Sequence, residues 1–309
     1  MNPRAERFAL ILAGGDGSRL KTLTRKIAGH DVPKQFCPVL GELTLLQQTL
    51  QRTALLIPRE NTLASVTRAH SRFYEPQLDG IAKANVAVQP ANRGTAAAIL
   101  YPLMKLAATA AEASVAIFPS DHFVSDDSVF MSHVDSALHA TEELPDLVAM
   151  LAVSARSPET GYGWIEPGEE IQAGGTRLHR VRRFFEKPES ELANQLMQTG
   201  CLWNSFVMAA RVSTIIRTIA MALPGLFVQF SAVRPVLDTM FERETMRRLY
   251  NDLPSVNFSE QVLASNPGNL AVITVADVEW SDLGETDRVM ATLAKLKVRP
   301  GWAASSSVD

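Results

Sequence analysis

Cysteine is nearly absent from this chain: among 309 residues only Cys37 and Cys201 carry thiols. They lie far apart, show none of the paired spacings of a zinc or iron–sulfur site, and offer no disulfide framework. The opening Met1 to Arg7 is polar and lacks the apolar stretch of a secretory signal. Both features point to a reducing cytoplasm. Long hydrophobic runs are missing as well, and none approaches the ~20 residues needed to cross a bilayer, so a soluble protein with no membrane partner is expected. An excess of one charge is the third absence: 30 Lys and Arg against 33 Asp and Glu leave a formal net charge of -3 and a pI near 6.1. Such a balance gives no overall attraction to a nucleic-acid backbone, so any phosphate binding must come from local clusters. Internal repeats and low-complexity linkers are absent too, which favours one continuous domain.

What is present is the material of a core, with 46% hydrophobic and 20% charged residues. Short apolar runs at Phe8–Ala13, Thr62–Thr67, Asn85–Gln89, Ser114–Phe118 and Leu147–Val153 read as buried strands. Helical patterns at Thr44–Leu56, Ser71–Leu78, Thr95–Thr109 and Val129–Glu143 alternate with them. Strand–helix alternation of this kind predicts a doubly wound α/β sheet, mostly parallel and covered on both faces. After Ser154 the rhythm changes. Gly161–Ile165 and Leu178–Phe185 read as strands flanking a turn-rich Glu166–Thr176, consistent with an antiparallel sugar-side insertion laid over the sheet rather than part of it. Helices are expected to dominate Ser213–Leu263, followed by a strand near Leu270–Val275, a helix over Glu285–Leu296 and a frayed tail from Pro300 to Asp309.

The segment Leu12-Ala-Gly-Gly-Asp-Gly-Ser-Arg-Leu20 follows the first strand directly. Gly14, Gly15 and Gly17 leave main-chain N–H groups unobstructed for an anion. Arg19, Lys21, Arg25, Lys26 and Lys34 then supply positive charge against only Asp31, so phosphate is the natural ligand. The loop fits neither familiar glycine motif. A Walker loop would need Gly-Lys-Ser/Thr where Gly17-Ser18-Arg19 stands, and a dinucleotide fingerprint needs a third glycine or alanine where Leu20 stands. Taken alone, the segment also reads as a simple glycine turn with solvated basic neighbours.

Phe118-Pro-Ser-Asp-His122 closes the strand Ser114–Phe118 at its carboxyl edge, where ligands of open α/β sheets bind. Asp121 there is a hard oxygen ligand suited to Mg²⁺, although a Ser-Asp at a strand end also serves as a turn or helix cap. Ser281-Asp282 before the last helix carries the same ambiguity. His122, His133 and His139 show no ligand spacing and read as structural or solvated.

Eight segments in order over residues 8–290 give a resemblance to a known family: the glycine loop, Pro33-Lys-Gln-Phe36, Gln89-Pro-Ala-Asn-Arg-Gly-Thr-Ala96, Phe118 to His122, Thr160-Gly-Tyr-Gly163, Phe185-Glu-Lys-Pro188, Trp203-Asn-Ser205 and Trp280-Ser-Asp-Leu-Gly284. The chain resembles the sugar-phosphate nucleotidyltransferases, most closely the mannose-1-phosphate guanylyltransferases. That resemblance implies a Rossmann-like nucleotidyltransferase domain over residues 1–299, with a nucleotide part at about 7–153 and a sugar-phosphate part at about 154–299. It also implies condensation of GTP with mannose 1-phosphate to GDP-mannose and pyrophosphate.

By the same resemblance, Leu12, Ala13, Gly14, Gly15, Gly17, Ser18, Gln89, Arg93, Thr95 and Asp121 bind nucleotide, while Gly163, Glu186, Lys187 and Asn204 receive the sugar phosphate. Arg19, Lys34 and Asp121 act on the reacting phosphates, and Asp121 with Asp282 holds Mg²⁺. Trp203 is expected to pack rather than to touch a ligand. The chain departs from the family pattern in four places: a longer Lys26–Val32 stretch, Thr22 for a proline, Gly94 for an asparagine, and Ser255–Leu263 without the usual closing Glu-Lys. The β-helical domain that often helps such enzymes oligomerise is not recognised after the last helix, so self-association is left open. Two alternatives also stay open: a sibling enzyme using another nucleotide or sugar, and a catalytically weak subunit that binds nucleotide sugars.

Overall fold

The computed structural model describes residues 6–298 and 300–304. Its strands are β1 (Arg7–Ala13), β2 (Thr62–Thr67), β3 (Val86–Gln89), β4 (Ser114–Pro119), β5 (Phe123–Val124), β6 (Val148–Ser154), β7 (Gly163–Ala173), β8 (Thr176–Glu186), β9 (Leu202–Arg211), β10 (Leu270–Val275) and β11 (Trp280–Ser281). Nine of them form one sheet in the order β3-β2-β1-β4-β9-β6-β10-β8-β7, while β5 and β11 pair separately. The pairs β1–β2, β1–β4, β2–β3 and β6–β10 are parallel. The expected mostly parallel α/β sheet is therefore present.

Burial on both faces explains why the parallel strands read as continuous apolar runs. In β1, Phe8 and Leu10 join one core cluster with the helix Gly94–Ala110, whereas Ala9, Ile11 and Ala13 face clusters on the other side. Phe118 and Ala116 of β4 likewise pack with Phe130, Val134 and Leu138 of the helix Asp127–Glu143. No helix among the described residues is long and apolar enough to cross a membrane.

Three features differ from the sequence reading. Glu166–Thr176 is not a run of turns: β7 continues to Ala173 and the reversal is confined to Gly174-Gly175, both at positive φ. Register shifts around Glu166, Pro167 and Glu170 carry the strand past its proline and glycine. The ten-residue β9 was not anticipated at all, because polar Asn204 and Ser205 interrupt its apolar pattern. It lies antiparallel between β4 and β6, at the middle of the sheet. Within the expected tail, Gly301–Ala304 forms a helical turn and Trp302 packs against the cluster that includes Leu20 and Leu293; residues 305–309 lie outside the described residues.

Candidate active site

A cleft of about 510 Å³ opens where β1 and β4 end and β9 begins, a volume within the usual range for a small-molecule site. Leu12, Gly14, Gly15, Gly17 and Arg19 line one wall. The glycine loop is held from beneath: the Gln35 amide donates to the carbonyls of Ala13 (3.2 Å) and Gly15 (2.6 Å), and the Thr67 hydroxyl donates to Gly14 O at 2.8 Å. A Cβ on Gly14 would lie 2.9 Å from both Gln89 Nε2 and Thr67 Oγ1. Glycine is thus required by the supports as well as by any ligand. Ala13 is fully buried, and neither it nor Ser18 lines the cleft.

The short β5–β11 ladder brings the two distant aspartates together. Trp280 pairs with Val124 and Ser281 with Phe123, so continuing that antiparallel register sets Asp282 opposite His122, one residue from Asp121. Lys34 ties the two segments. Its buried ammonium contacts Asp121 Oδ2 at 3.1 Å and donates to the main-chain carbonyls of Asp282 (2.5 Å) and Leu283 (3.2 Å). These contacts engage all three ammonium donors, and Lys34 itself is not part of the cleft lining.

Asp282 Oδ1 accepts from Gly284 N at 2.8 Å. A Cβ at Gly284 would meet Asp282 Oδ2 at 2.5 Å and Arg19 Nη2 at 3.1 Å, so carboxylate and guanidinium flank one point. Burial disfavours the charged form of Asp121, but the Lys34 ammonium foremost, with Arg19 behind it, holds its carboxyl below the ordinary carboxylate range. His122, packed edge-on against Trp280, is pushed down by burial to about 4 despite Asp121. It is therefore a neutral wall of the cleft; it sits inside the Phe118–His122 motif, and the expectation that it is merely structural or solvated overlooked that place.

On the opposite wall, adjacent strands align Gly163, Glu186, Lys187 and Asn204. Gly163 pairs with Glu186, and a Cβ on Gly163 would lie 2.9 Å from the Phe184 ring, 3.1 Å from Glu186 Oε2 and 3.3 Å from Asn204 Cβ. The Lys187 ammonium is 3.0 Å from Glu186 Oε1, and Asn204 Oδ1 accepts from Phe206 N at 2.9 Å. Trp203 packs edge-on against Tyr162 and Trp164.

The nucleotide-side candidates divide. Gln89 and Thr95 line the cleft, yet both are engaged: Gln89 with Ser65 and the Tyr250 hydroxyl, Thr95 Oγ1 with Phe258 N at 2.8 Å. Arg93 does not join the lining, because its guanidinium donates to the carbonyls of Tyr250 and Asn251. Residues that sequence reasoning missed include Asn92, Tyr162, Phe206 and Asn257. Asn92 and Tyr162 sit inside quoted motifs and were findable; Asn257 belongs to the divergent late segment and carried no signal.

Residues 8–297 match the sequence profile of the nucleotidyl transferase family, and the chain belongs to that family. It is 32% identical over 286 residues to a mannose-1-phosphate guanylyltransferase of Sinorhizobium fredii, covering 90% of this chain and 53% of that protein. The alginate biosynthesis protein AlgA of Pseudomonas aeruginosa is 33% identical over 207 residues, covering 66% of this chain and 41% of that one. The chain thus spans about half the length of these curated relatives. Among solved structures, a mannose-1-phosphate geranyltransferase from Thermus thermophilus superposes with a TM-score of 0.79 at 29% identity, covering 93% of this chain and 79% of that one. A UDP-glucose pyrophosphorylase complexed with UDP-glucose shares the fold, with a TM-score of 0.55 at 13% identity over 96% of this chain and 100% of that one.

Proposed function

We propose that this nucleotidyltransferase joins GTP to mannose 1-phosphate in the cytoplasm, forming GDP-mannose and pyrophosphate. The observation that carries the reading is the convergence of Asp121 and the Asp282 segment on Lys34, beside the glycine loop and Arg19. The names of the similar proteins support the choice of sugar, and the guanylyltransferase name supports that of the nucleotide. The main-chain N–H groups of the glycine loop receive the triphosphate, and the wall of Gly163, Glu186 and Asn204 offers fixed polar partners to hexose hydroxyls. Lys187 supplies a cation for the sugar phosphate. A phosphate oxygen of the sugar attacks the α-phosphorus in line and pyrophosphate leaves, with Arg19 offsetting its charge. Positioning and neutralisation of charge do the work, and no side-chain nucleophile is needed.

Asp121 and Asp282 suit Mg²⁺ as hard oxygen donors. Among the described residues Asp282 Oδ2 accepts no hydrogen bond, since Gly284 occupies Oδ1, and no cluster of three or more ligand side chains is found. Mg²⁺ is commonly held by one or two carboxylates plus substrate phosphates, which fits that pair. When bound, it would supply positive charge between the reacting phosphates.

Pyrophosphate release across a matrix of nucleoside triphosphates and hexose 1-phosphates, with and without Mg²⁺, tests the proposal. GTP with mannose 1-phosphate should give the highest kcat/KM, and Asp121→Asn should reduce turnover by about 100-fold or more while the fold is kept. A better substrate pair would overturn the substrate assignment. Near-normal turnover of Asp121→Asn in Mg²⁺ would overturn the metal assignment, and nucleotide-sugar binding without any release would identify a binding subunit.

A further inference from the structure

Arg288, on the helix Thr286–Leu296, is part of no motif noted in the sequence, and its side chain is 15% exposed. Its Nη1 lies 3.3 Å from Asp282 Oδ1 and 3.7 Å from Glu159 Oε2, and its Nη2 lies 3.2 Å from Glu285 Oε1. The guanidinium sits 4.6 Å over the Tyr162 ring, and a Cβ on Gly161 would come within 3.1 Å of Nη2. Tyr162 in turn accepts from Lys187 N at 3.1 Å through its carbonyl. One planar cation therefore touches the Asp282 carboxylate and the Gly161–Tyr162 segment, whose carbonyl receives the main-chain N–H of Lys187.

We propose that Arg288 is a positioning residue: it pins Asp282 through Oδ1, leaving Oδ2 as the metal-binding oxygen, and couples that carboxylate to the Gly161–Tyr162 wall of the sugar pocket. The proposal rests on the metal reading of Asp282. Gly284 N donates to Oδ1 and the Arg288 cation lies 3.3 Å from the same oxygen, without a hydrogen bond of its own there, so rotation of the carboxylate would lose both the bond and the ion pair and one oxygen is held available. A lysine cannot substitute, because a single ammonium cannot meet Asp282 through one nitrogen and Glu285 through another while packing over Tyr162.

The test titrates Mn²⁺ by electron paramagnetic resonance into the protein bound to a non-hydrolysable GTP analogue, and measures KM for each substrate. Arg288→Met and Arg288→Lys should each weaken Mn²⁺ binding and raise KM for the sugar 1-phosphate about 10-fold, with KM for the nucleotide changed less than about 2-fold. Gly161→Ala, which crowds the guanidinium without removing it, should reproduce this split in milder form. In an Asp282→Asn background, Arg288→Met should cause no further loss of Mn²⁺ affinity, since the two act as a unit. Wild-type behaviour of Arg288→Met, full rescue by lysine, or additive losses in the double variant would each refute the proposal. Unchanged Mn²⁺ binding in Asp282→Asn alone would refute the metal reading as well, and so separates the two failures.

Discussion

At the scale of single residues, burial decides which polar and reactive groups are free to act. Cys37 is fully buried just after the short turn Lys34–Phe36, and desolvation pushes its thiol up to about 12. At pH 8 only about one molecule in ten thousand would carry the thiolate. Cys201 is also buried and shifted upward for the same reason. Native protein at pH 8 should therefore resist alkylation for hours, whereas both thiols should react after unfolding in guanidinium; rapid native labelling of Cys37, read by mass spectrometry, would contradict its placement. Lys34 illustrates the same principle among cations. Buried beside Asp121 and two carbonyls, it joins two segments of the site, while Arg19 remains on the cleft wall.

Among elements, two departures from the family pattern turn out to touch each other. Gly94 has φ of +80°, and a Cβ there would lie 2.3 Å from Val256 O. Val256 N donates to Arg93 O, Val256 O accepts from Ala96 N, and Phe258 N donates to the Thr95 hydroxyl. The divergent late segment is thus laid across the turn that opens the helix Gly94–Ala110. An asparagine tolerates left-handed backbone, but its Cβ would still meet Val256. Gly94→Ala combines that clash with backbone strain and should destabilise the protein by about 2 kcal/mol or more while raising KM for GTP. Urea unfolding and steady-state kinetics check both effects, and an unperturbed Gly94→Ala would show that the segment does not depend on this contact.

For the whole molecule, the two walls of the cleft are built on one nine-stranded sheet, with β9 bonded to β4 on one side and β6 on the other. Its main core cluster includes Phe8 and Leu10 together with Ile165, Phe184 and Leu270. Unfolding either part would expose apolar surface shared with the other, so the chain should melt in a single cooperative transition. Tryptophan fluorescence, dominated by Trp164, Trp203 and Trp280 around the sugar wall, and far-ultraviolet circular dichroism should give the same midpoint. Separated midpoints would mean two independently folding halves.

The parallel half of the sheet was legible because strands buried on both faces must be apolar throughout, and the glycine loop because three glycines follow the first strand directly. Arg19, Asp121, Asp282 and the sugar-side residues Gly163, Glu186 and Asn204 were visible as ordered motifs, and the fold collected them on one cleft. Local sequence could not show β9, whose pattern is broken by Asn204, which lines the cleft, and by Ser205, which is buried and bonded to Leu151 O, nor the two-rung β5–β11 ladder that draws the Asp121 and Asp282 segments together. The neighbours of Lys34, Arg93, Arg288 and Gly94 were likewise fixed only in space: what a charge or a missing Cβ does depends on which distant atoms lie within a few ångströms, and only the tertiary structure sets those atoms.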